Sequence, residues 1–442
     1  MKFTLTLIFC CTASLCIQAQ KSGDIFATVN GRNFTASDLS PDTQDLLAKQ
    51  ATVIANAREQ LLNRMIGDYL VEQEAKAKSV TPESLTGAAK AKATAPTEVQ
   101  INAVYEANKA AFVDKPQSEV RKQIVEFLRR DPEEAALNEY IETLSAKYKI
   151  IKGKDINSPM LKPQDMIFSV GARPFTAKEF EDKFKLVLYD VQADIIDQVK
   201  AETENAIYLA LVAEEAKAQN VDSGTLIGTE ITNKMRDFSD EERIALEDEF
   251  QNKLYKKYNA RILIKYPPPI VQNISVDDDP SRGPVNAPVT VVMFSDFQCP
   301  ACSATHPVLQ KVLAEYGDKI HFVVRDFPLT TLHDHAFRAA LAANAANAQG
   351  KFFEYADILY KNQSALDDAS LSKYASSLGL NVKRFELDLS SENTAAEVRK
   401  DIADGKAYGI TGTPSIFING VKVRHLSAAG FREAIDAALG KK

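Results

Sequence analysis

Apolar residues recur at helical spacing through most of the first 263 residues of the chain. Leu62, Ile66 and Leu70 lie on one face of a helix, and the same spacing returns over residues 137–148. A short extended segment with a turn, residues 26–34, precedes the first of these helices. The pattern predicts a mostly α-helical N-terminal region.

This region contains an internal repeat. Phe34-Thr35-Ala36 recurs as Phe175-Thr176-Ala177, and Glu74-Ala75-Lys76-Ala77 recurs as Glu215-Ala216-Lys217-Ala218. Farther along, Lys147-Tyr148 matches Lys257-Tyr258 at a shorter separation, so the second copy is the shorter one. We expect two helical repeats, at 24–152 and 165–263.

A different pattern begins after three consecutive prolines at 267–269, which favour an extended spacer. We predict a Pro-rich linker at 264–284 and a separate domain at 285–442. Within that domain the apolar run Val289–Phe294 predicts a buried strand, followed by a helix that begins at Pro300. A strand over 321–325, a long helical stretch over 335–405, an Asn-Gly turn between two strands and a terminal helix complete it.

Charge and cysteine content narrow the function. The formal net charge of −7 argues against nucleic acid as a partner. Residues 1–19 have the layout of a signal peptide, which predicts a periplasmic or otherwise exported protein, soluble after cleavage. Three of the five cysteines, Cys10, Cys11 and Cys16, lie in this N-terminal apolar stretch, and Cys299 and Cys302 form the remaining pair.

Cys299-Pro300-Ala301-Cys302 places two thiols one helical turn apart, where they can form and release a disulfide. Cys299 is expected at the helix N-terminus, where free N–H groups and the helix dipole favour the thiolate. A zinc site would need two more soft or imidazole ligands, and the chain has no second CxxC motif, so we predict no metal. His306 leaves open a copper-handling Cys₂His alternative.

The motifs DFQCPAC (296–302) and GTPSIFING (412–420), with the helical stretch between them, resemble the DsbA-like disulfide oxidoreductases over roughly 277–442. The resemblance implies a thioredoxin fold with a helical insertion and no cofactor. It also implies that Cys299 attacks and is attacked, that Cys302 resolves the mixed disulfide, and that a cis Thr413-Pro414 bond beside Cys299 helps to bind the substrate strand.

Two positions differ from this family's pattern. Ala301 stands where the strongest oxidants carry histidine, so Pro300 and Ala301 are expected to set the active-site tuning. Met293 stands where many relatives carry a buried acid, and nearby Asp296 is expected to point elsewhere.

The opening VNGRNFTASDL (29–39) and the long helix that ends in EQEAKAKSV (72–80) resemble the helical chaperone region of SurA and the parvulin-type foldases. No histidine or cysteine occurs between Lys21 and Gln298, which argues against a prolyl isomerase domain. The resemblance implies a helical module that either holds unfolded polypeptide or oligomerises.

The fold class predicted from these patterns is multidomain: a mostly α, duplicated N-terminal region and an α/β thioredoxin domain. The leading hypothesis is a thiol:disulfide oxidoreductase that oxidises unfolded or reduced exported proteins and is itself reoxidised by a membrane partner of the DsbB or vitamin K epoxide reductase (VKOR) type. The alternatives are a disulfide isomerase or reductase, a periplasmic chaperone with a vestigial CxxC motif, and a copper-handling protein. The oligomeric state is left open.

Overall fold

The computed structural model describes residues 23–112, 116–330 and 332–441. The predicted signal peptide and its three cysteines lie outside these ranges. The strands are β1 (Ala27–Val29), β2 (Arg32–Phe34), β3 (Ile150–Lys152), β4 (Met166–Val170), β5 (Arg173–Thr176), β6 (Arg261–Ile262), β7 (Ser281–Arg282), β8 (Val289–Ser295), β9 (Ile320–Asp326), β10 (Ser415–Ile418) and β11 (Val421–Lys422). The helices are α1 (Pro41–Lys78), α2 (Pro82–Lys90), α3 (Glu98–Ala107), α4 (Gln117–Tyr148), α5 (Ala177–Ala218), α6 (Ser223–Glu230), α7 (Asp240–Lys257), α8 (Pro300–Tyr316), α9 (Ala336–Asn347), α10 (Phe352–Lys361), α11 (Asp368–Ser377), α12 (Val382–Leu389), α13 (Glu392–Ala407) and α14 (Ala428–Ala438).

Two small antiparallel sheets in the N-terminal region combine strands from both sequence repeats. One has the order β2-β1-β6 and the other the order β3-β4-β5. In the first sheet the hairpin comes from the first repeat and β6 from the second. In the second sheet β3 comes from the first repeat and the hairpin from the second. The repeat boundaries stay predictions, but each sheet needs residues from both segments.

The described chain divides into two compact units, one of residues 23–57 and 186–269 and the other of 58–185 and 270–441. In the first unit the apolar face of the β1–β2 hairpin packs on the C-terminal part of α5, where Phe34 shares a core with Ile207 and Leu211. In the second unit, the edge of Tyr69 from α1 meets Phe175 of β5, with ring centroids 4.7 Å apart. Long amphipathic helices stabilise both units by burying the apolar residues that lie along one face of each helix.

Each unit also contains a buried glutamate that accepts hydrogen bonds from a lysine and from the tyrosine that follows it. These triads are Glu74 with Lys147 and Tyr148 (2.5 and 2.7 Å) and Glu215 with Lys257 and Tyr258 (2.6 and 2.8 Å). The lysine bond is the largest of the effects that lower the pKa of each glutamate to about 2. The three residue types are the ones that match between the sequence repeats, so the duplication extends to side-chain contacts.

The C-terminal region is an α/β domain around a five-stranded sheet of order β11-β10-β8-β9-β7. Strands β8 and β9 are parallel, and the other pairs are antiparallel. Asn419 and Gly420 both have positive φ (46° and 81°), as a tight hairpin turn requires. Helices α9 to α13 form the insertion between β9 and β10. The predicted fold class, a helical N-terminal region followed by a thioredoxin fold with a helical insertion, is confirmed.

The contacts of this domain begin before the expected boundary at residue 285. Val271 forms a β-bridge with Val421, and the Gln272 amide donates to the Gly420 carbonyl at 2.8 Å. Strand β7 pairs with β9. Residues 271–282, which the sequence pattern assigns to the linker, therefore pack on the C-terminal domain because their backbone groups complete its sheet edges.

Among the described residues, no helix is both long and apolar enough to cross a membrane.

Candidate active site

The two cysteines lie where strand β8 delivers the chain to helix α8. Cys299 is the N-cap residue of α8 and Pro300 occupies its first turn. Both thiols are free and buried: Cys299 is 6% exposed and Cys302 is 0% exposed. Proline suits the first helical turn because its missing N–H would have no intrahelical partner there. The predicted pair is thus at the start of a helix, and its two sulfurs lie in different environments.

The pKa of Cys299 is lowered from 9.0 to about 5. The largest cause is a hydrogen bond from the Cys302 side chain, and the backbone N–H groups of Cys302 and Ala301 and the side chain of Thr413 lower it further. Desolvation opposes these effects. Donors aimed at a sulfur stabilise its thiolate, so Cys299 is ionised at neutral pH.

Burial raises the pKa of Cys302 far above its usual range, and the neighbouring Cys299 raises it further. The Ser295 hydroxyl opposes this shift by hydrogen bonding to the Cys302 sulfur. A thiol in this environment keeps its proton at neutral pH. One thiolate and one thiol therefore stand side by side.

Thr413 and Pro414, the predicted substrate-binding residues, lie beside Cys299. Their peptide bond is cis, as the resemblance implies. The Cys299 Sγ lies 3.5 Å from the Thr413 carbonyl oxygen. The cis-proline segment leads directly into β10, whose Ser415 pairs with Phe294 of β8. The sheet therefore fixes this loop against the cysteine motif.

The two positions that the sequence predicts to tune the site lie in the same environment, whereas Met293 lies in a different one. Pro300 and Ala301 are both exposed. Met293 is fully buried in the apolar core and pairs with Val324 and Ile416. No acid stands at that position, as the sequence indicates.

Asp296 has a role that the sequence did not predict. Its buried carboxylate accepts hydrogen bonds from the Gln298 amide (2.7 Å), the Leu329 amide (2.8 Å) and His333 Nδ1 (2.7 Å). Its carbonyl accepts from the Cys299 amide at 3.1 Å. Asp296 therefore ties the cysteine loop to the segment that follows β9.

A second tie comes from the insertion. Gln363 Nε2, just after α10, donates to the carbonyls of Phe297 (3.0 Å) and Cys299 (2.8 Å). The Ser303 hydroxyl donates to the Tyr360 carbonyl at 2.9 Å. No sequence signal marks Gln363, because its role depends on how the insertion packs. These bonds hold the helix start rigidly between β8 and α10.

The histidine that the copper-handling alternative requires is bonded elsewhere. His306 is buried, its Nε2 lies 2.7 Å from Asp357 Oδ1, and its ring packs on Tyr360 with centroids 4.7 Å apart. Within the described parts of the chain, the group whose ligand atoms lie close enough to share a metal ion is Asp279, Glu397 and Asp401, which includes neither cysteine. Two members of that group, Asp279 and Asp401, instead form ion pairs with buried Arg325.

Residues 275–437 match the family model described as thioredoxin. The C-terminal region is a thioredoxin-fold domain. Two curated relatives are antiporters by name: Na(+)/H(+) antiporter NhaA 3 of Salinispora tropica is 39% identical over 166 residues, and NhaA of Herminiimonas arsenicoxydans is 37% identical over 158. These matches cover 38% and 35% of this chain, and each covers 25% of the relative. The chain thus spans about a quarter of the length of these relatives.

Among solved structures, oxidised BdbD from Bacillus subtilis is similar with 24% identity and a TM-score of 0.36, covering 39% of this chain and 100% of that one. A thioredoxin-like oxidoreductase from Silicibacter pomeroyi also has 24% identity, with a TM-score of 0.35, and covers 38% and 95% of the two chains. The resemblance of the N-terminal half to SurA finds no support in these matches.

Proposed function

We propose that this protein is an exported thiol:disulfide oxidoreductase that forms disulfides in unfolded client proteins through Cys299 and Cys302. The observation that carries the proposal is a pair of free, buried thiols at one helix start, with Cys299 Sγ 3.5 Å from the carbonyl of Thr413, which precedes the cis-proline. The opposite shifts of the two thiol pKa values support it. A stable thiolate at Cys299 is ionised at neutral pH and is a good leaving group, which favours thiol–disulfide exchange at this sulfur.

In the oxidising direction a client thiolate attacks Cys299 Sγ of the disulfide form. A client–Cys299 disulfide forms, the Cys299–Cys302 bond breaks, and its electron pair goes to Cys302. A second client thiolate then attacks the client sulfur and releases Cys299 as a thiolate. The client is oxidised by two electrons and the cysteine pair is reduced.

The proposal favours oxidation of the client over its reduction, because hydrogen bonds stabilise the reduced form of the cysteine pair relative to its disulfide form. Donors from Cys302, Ala301 and Thr413 act on the Cys299 thiolate, which exists only after the disulfide has opened. Stabilising the reduced form makes a couple more oxidising. Sustained turnover then needs an oxidant for the cysteine pair, and a quinone-linked membrane protein of the DsbB or VKOR type would serve.

In this proposal the helical N-terminal region holds clients near the redox domain. Long helices with exposed apolar side chains, such as Phe127 and Leu209, offer contact surface for unfolded chain. Holding a client beside Cys299 raises its effective concentration. Light scattering on the full chain, with and without a reduced client, measures whether the protein binds as a monomer or as an oligomer.

Cysteine variants test the chemistry. Cys299→Ser is expected to abolish oxidation of a reduced client. Cys302→Ser, mixed with a client that still carries a disulfide, is expected to accumulate client–Cys299 mixed disulfides, because the Cys299 thiolate displaces one client thiolate and no resolving thiol releases the product. Non-reducing electrophoresis separates the two outcomes. Full activity in both variants would overturn the proposal. Suppression of client aggregation by the double variant, without any oxidation by the wild type, would instead support the chaperone alternative.

A further inference from the structure

A short turn, residues 296–299, carries the chain from β8 to the start of α8. The Cys299 amide donates to the Asp296 carbonyl at 3.1 Å, which closes the turn. The Asp296 carboxylate accepts a hydrogen bond from the Gln298 amide at 2.7 Å. Phe297 and Cys299 are buried, with 1% and 6% of their surfaces exposed. The carbonyl groups of these two residues therefore need hydrogen-bond donors from within the protein.

Gln363, in the helical insertion, donates to both carbonyls. Its Nε2 lies 3.0 Å from the Phe297 carbonyl oxygen and 2.8 Å from the Cys299 carbonyl oxygen. A side-chain amide nitrogen carries two N–H groups, so it can serve both acceptors at once. The Cys299 carbonyl also accepts the Ser303 amide at 3.1 Å, within the first turn of α8. Gln363 therefore fixes two peptide planes, one of which joins Cys299 to Pro300.

The second of these planes decides how the Cys299 sulfur meets the helix. Cys299 is the N-cap residue of α8, with φ −73° and ψ 121°. The side chain lies on one side of the bond that ψ describes, and the helix lies on the other. A change in ψ therefore moves the first N–H groups of α8 relative to the sulfur. The Ala301 and Cys302 amides, which donate to this sulfur, are among the N–H groups that a helix start leaves without an intrahelical partner.

The CxxC motif offers the sulfur few other backbone donors. Pro300 has no N–H group, so donation from the first turn depends on the two amides that follow it. Ala301 has a methyl side chain and cannot add a donor of its own. A hydrogen bond weakens steeply as its angle departs from linearity. Stabilisation of the Cys299 thiolate is therefore sensitive to the direction of those two amides.

We infer that Gln363 is a positioning residue of the redox centre, which holds the Cys299 peptide plane so that the first free amides of α8 point at the Cys299 sulfur. Gln363 donates to carbonyl groups, so it acts on the sulfur through the backbone. The inference deepens the proposed function and rests on it, because a stabilised thiolate matters to exchange only if the pair exchanges. Stabilising the reduced form makes a couple more oxidising, so one side chain links the insertion to the redox equilibrium.

The test replaces Gln363 with methionine, which is similar in length and donates no hydrogen bond. Two quantities are measured on the full-length protein: the pH midpoint of the thiolate absorbance and the equilibrium constant with glutathione at pH 7. Gln363→Met is expected to raise the pKa of Cys299 by about one pH unit, a tenfold change in the ratio of thiolate to thiol. The equilibrium constant for oxidation of glutathione is expected to fall by about tenfold, because the thiolate loses the same stabilisation.

Gln349→Met is the matched control. Gln349 is likewise a half-buried glutamine of the insertion that bonds to backbone groups. Its Nε2 donates to the Asn381 carbonyl at 3.3 Å, and its Oε1 accepts from the Asn381 amide at 2.9 Å. These bonds join the chain after α9 to the start of α12 and involve no residue of the 296–299 turn. This variant is expected to match the wild type in both measurements, even if it unfolds at a lower urea concentration.

Gln363→Asn serves as a second variant in case methionine prevents folding. Asparagine keeps the amide, but its side chain is one methylene shorter and cannot reach both carbonyls. The pKa of Cys299 is expected to rise in this variant as well, by less than in Gln363→Met.

The outcomes separate positioning from a purely structural role. A wild-type titration midpoint in Gln363→Met, or in Gln363→Asn where the methionine variant does not fold, would overturn the inference. Equal shifts in Gln363→Met and Gln349→Met would also overturn it, since they would report a general loosening of the insertion. If the wild-type pair fails to exchange with glutathione, the proposed function fails, whereas the titration midpoints still decide whether Gln363 positions the sulfur.

Discussion

The low pKa of Cys299 depends first on Cys302, which makes a sharp prediction possible. The hydrogen bond from the Cys302 side chain is the largest effect that lowers the pKa of Cys299 from 9.0 to about 5. Cys302→Ala removes this donor and leaves the backbone N–H groups and the helix dipole. We therefore expect the pKa of Cys299 to rise to roughly 7, within the range of cysteines at helix N-termini. Cys302→Ser retains an O–H donor and is expected to keep the pKa close to the wild-type value.

The size of this change makes it easy to detect. At pH 6 a thiol with a pKa of about 5 is roughly 90% ionised, and one with a pKa of about 7 is roughly 10% ionised. A rate measured at a single pH would underestimate the difference, because the intrinsic nucleophilicity of a thiolate rises with its pKa. The midpoint of a pH titration depends on the pKa alone, so it is not affected by the nucleophilicity of the thiolate.

The assay is the ultraviolet absorbance of the thiolate in the reduced protein, followed from acid to neutral pH. Cys299→Ser gives the background, since it lacks the titrating thiol. Serine and alanine at position 302 differ mainly in the donor, so the separation between their two midpoints measures the hydrogen bond. Equal midpoints in the two variants would refute the assignment and leave the helix dipole and backbone donors as the main cause.

Three further expectations follow from other contacts. Ala301→His adds a cation at an exposed position, so it is expected to lower the pKa of Cys299 by less than about one pH unit and to make the couple more oxidising in glutathione redox buffers; an unchanged potential would contradict it. His333→Ala deprives a buried carboxylate of its imidazole donor and is expected to cost about 1–3 kcal/mol in urea unfolding, whereas wild-type stability would show that the bond is dispensable. Glu74 and Glu215 have pKa values lowered from 4.5 to about 2, so their contribution to stability is present above pH 4.5 and is lost as the pH falls towards 2. Glutamine at both positions is expected to make the free energy of unfolding depend less on pH over that range. An unchanged acid transition would count against the two triads.

Local signals explain why much of the C-terminal domain could be predicted from sequence. The apolar run before Cys299, Pro300 in the first helical turn and the Asn419-Gly420 turn each constrain only neighbouring residues. The structure contains the strand, the helix and the hairpin that these signals predict. The start of the domain was harder to place, because Val271 and strand β7 pair with strands that come later in the chain.

The pairing of the N-terminal strands could not be predicted for a related reason. Two copies of one motif offer equivalent strands, and the sequence of β1 suits a partner from either copy. In the structure β1 pairs with β6 and β4 pairs with β3, so both sheets join the two copies. Strand register depends on such non-local contacts, and repeat matching reports similarity rather than contact.

The residues around Cys302 were missed because their roles depend on burial. Ser295 is a polar residue at the end of a mostly apolar strand, and that was the one available signal. Tyr360 and Gln363 approach the cysteines only because the insertion folds back over α8, which no local pattern reveals.

One helical turn separates the two thiols, yet their surroundings divide the chemistry between them. Cys299 accepts several hydrogen bonds at its sulfur, so it can leave as a thiolate and needs no proton. Cys302 sits where solvent is excluded, so it can leave only if a proton arrives with it. In the proposed function, the donors around Cys299 therefore favour opening of the disulfide, and the burial of Cys302 opposes it unless a proton reaches that sulfur. Substitutions at 301 are then expected to change the equilibrium between the disulfide and the two thiols.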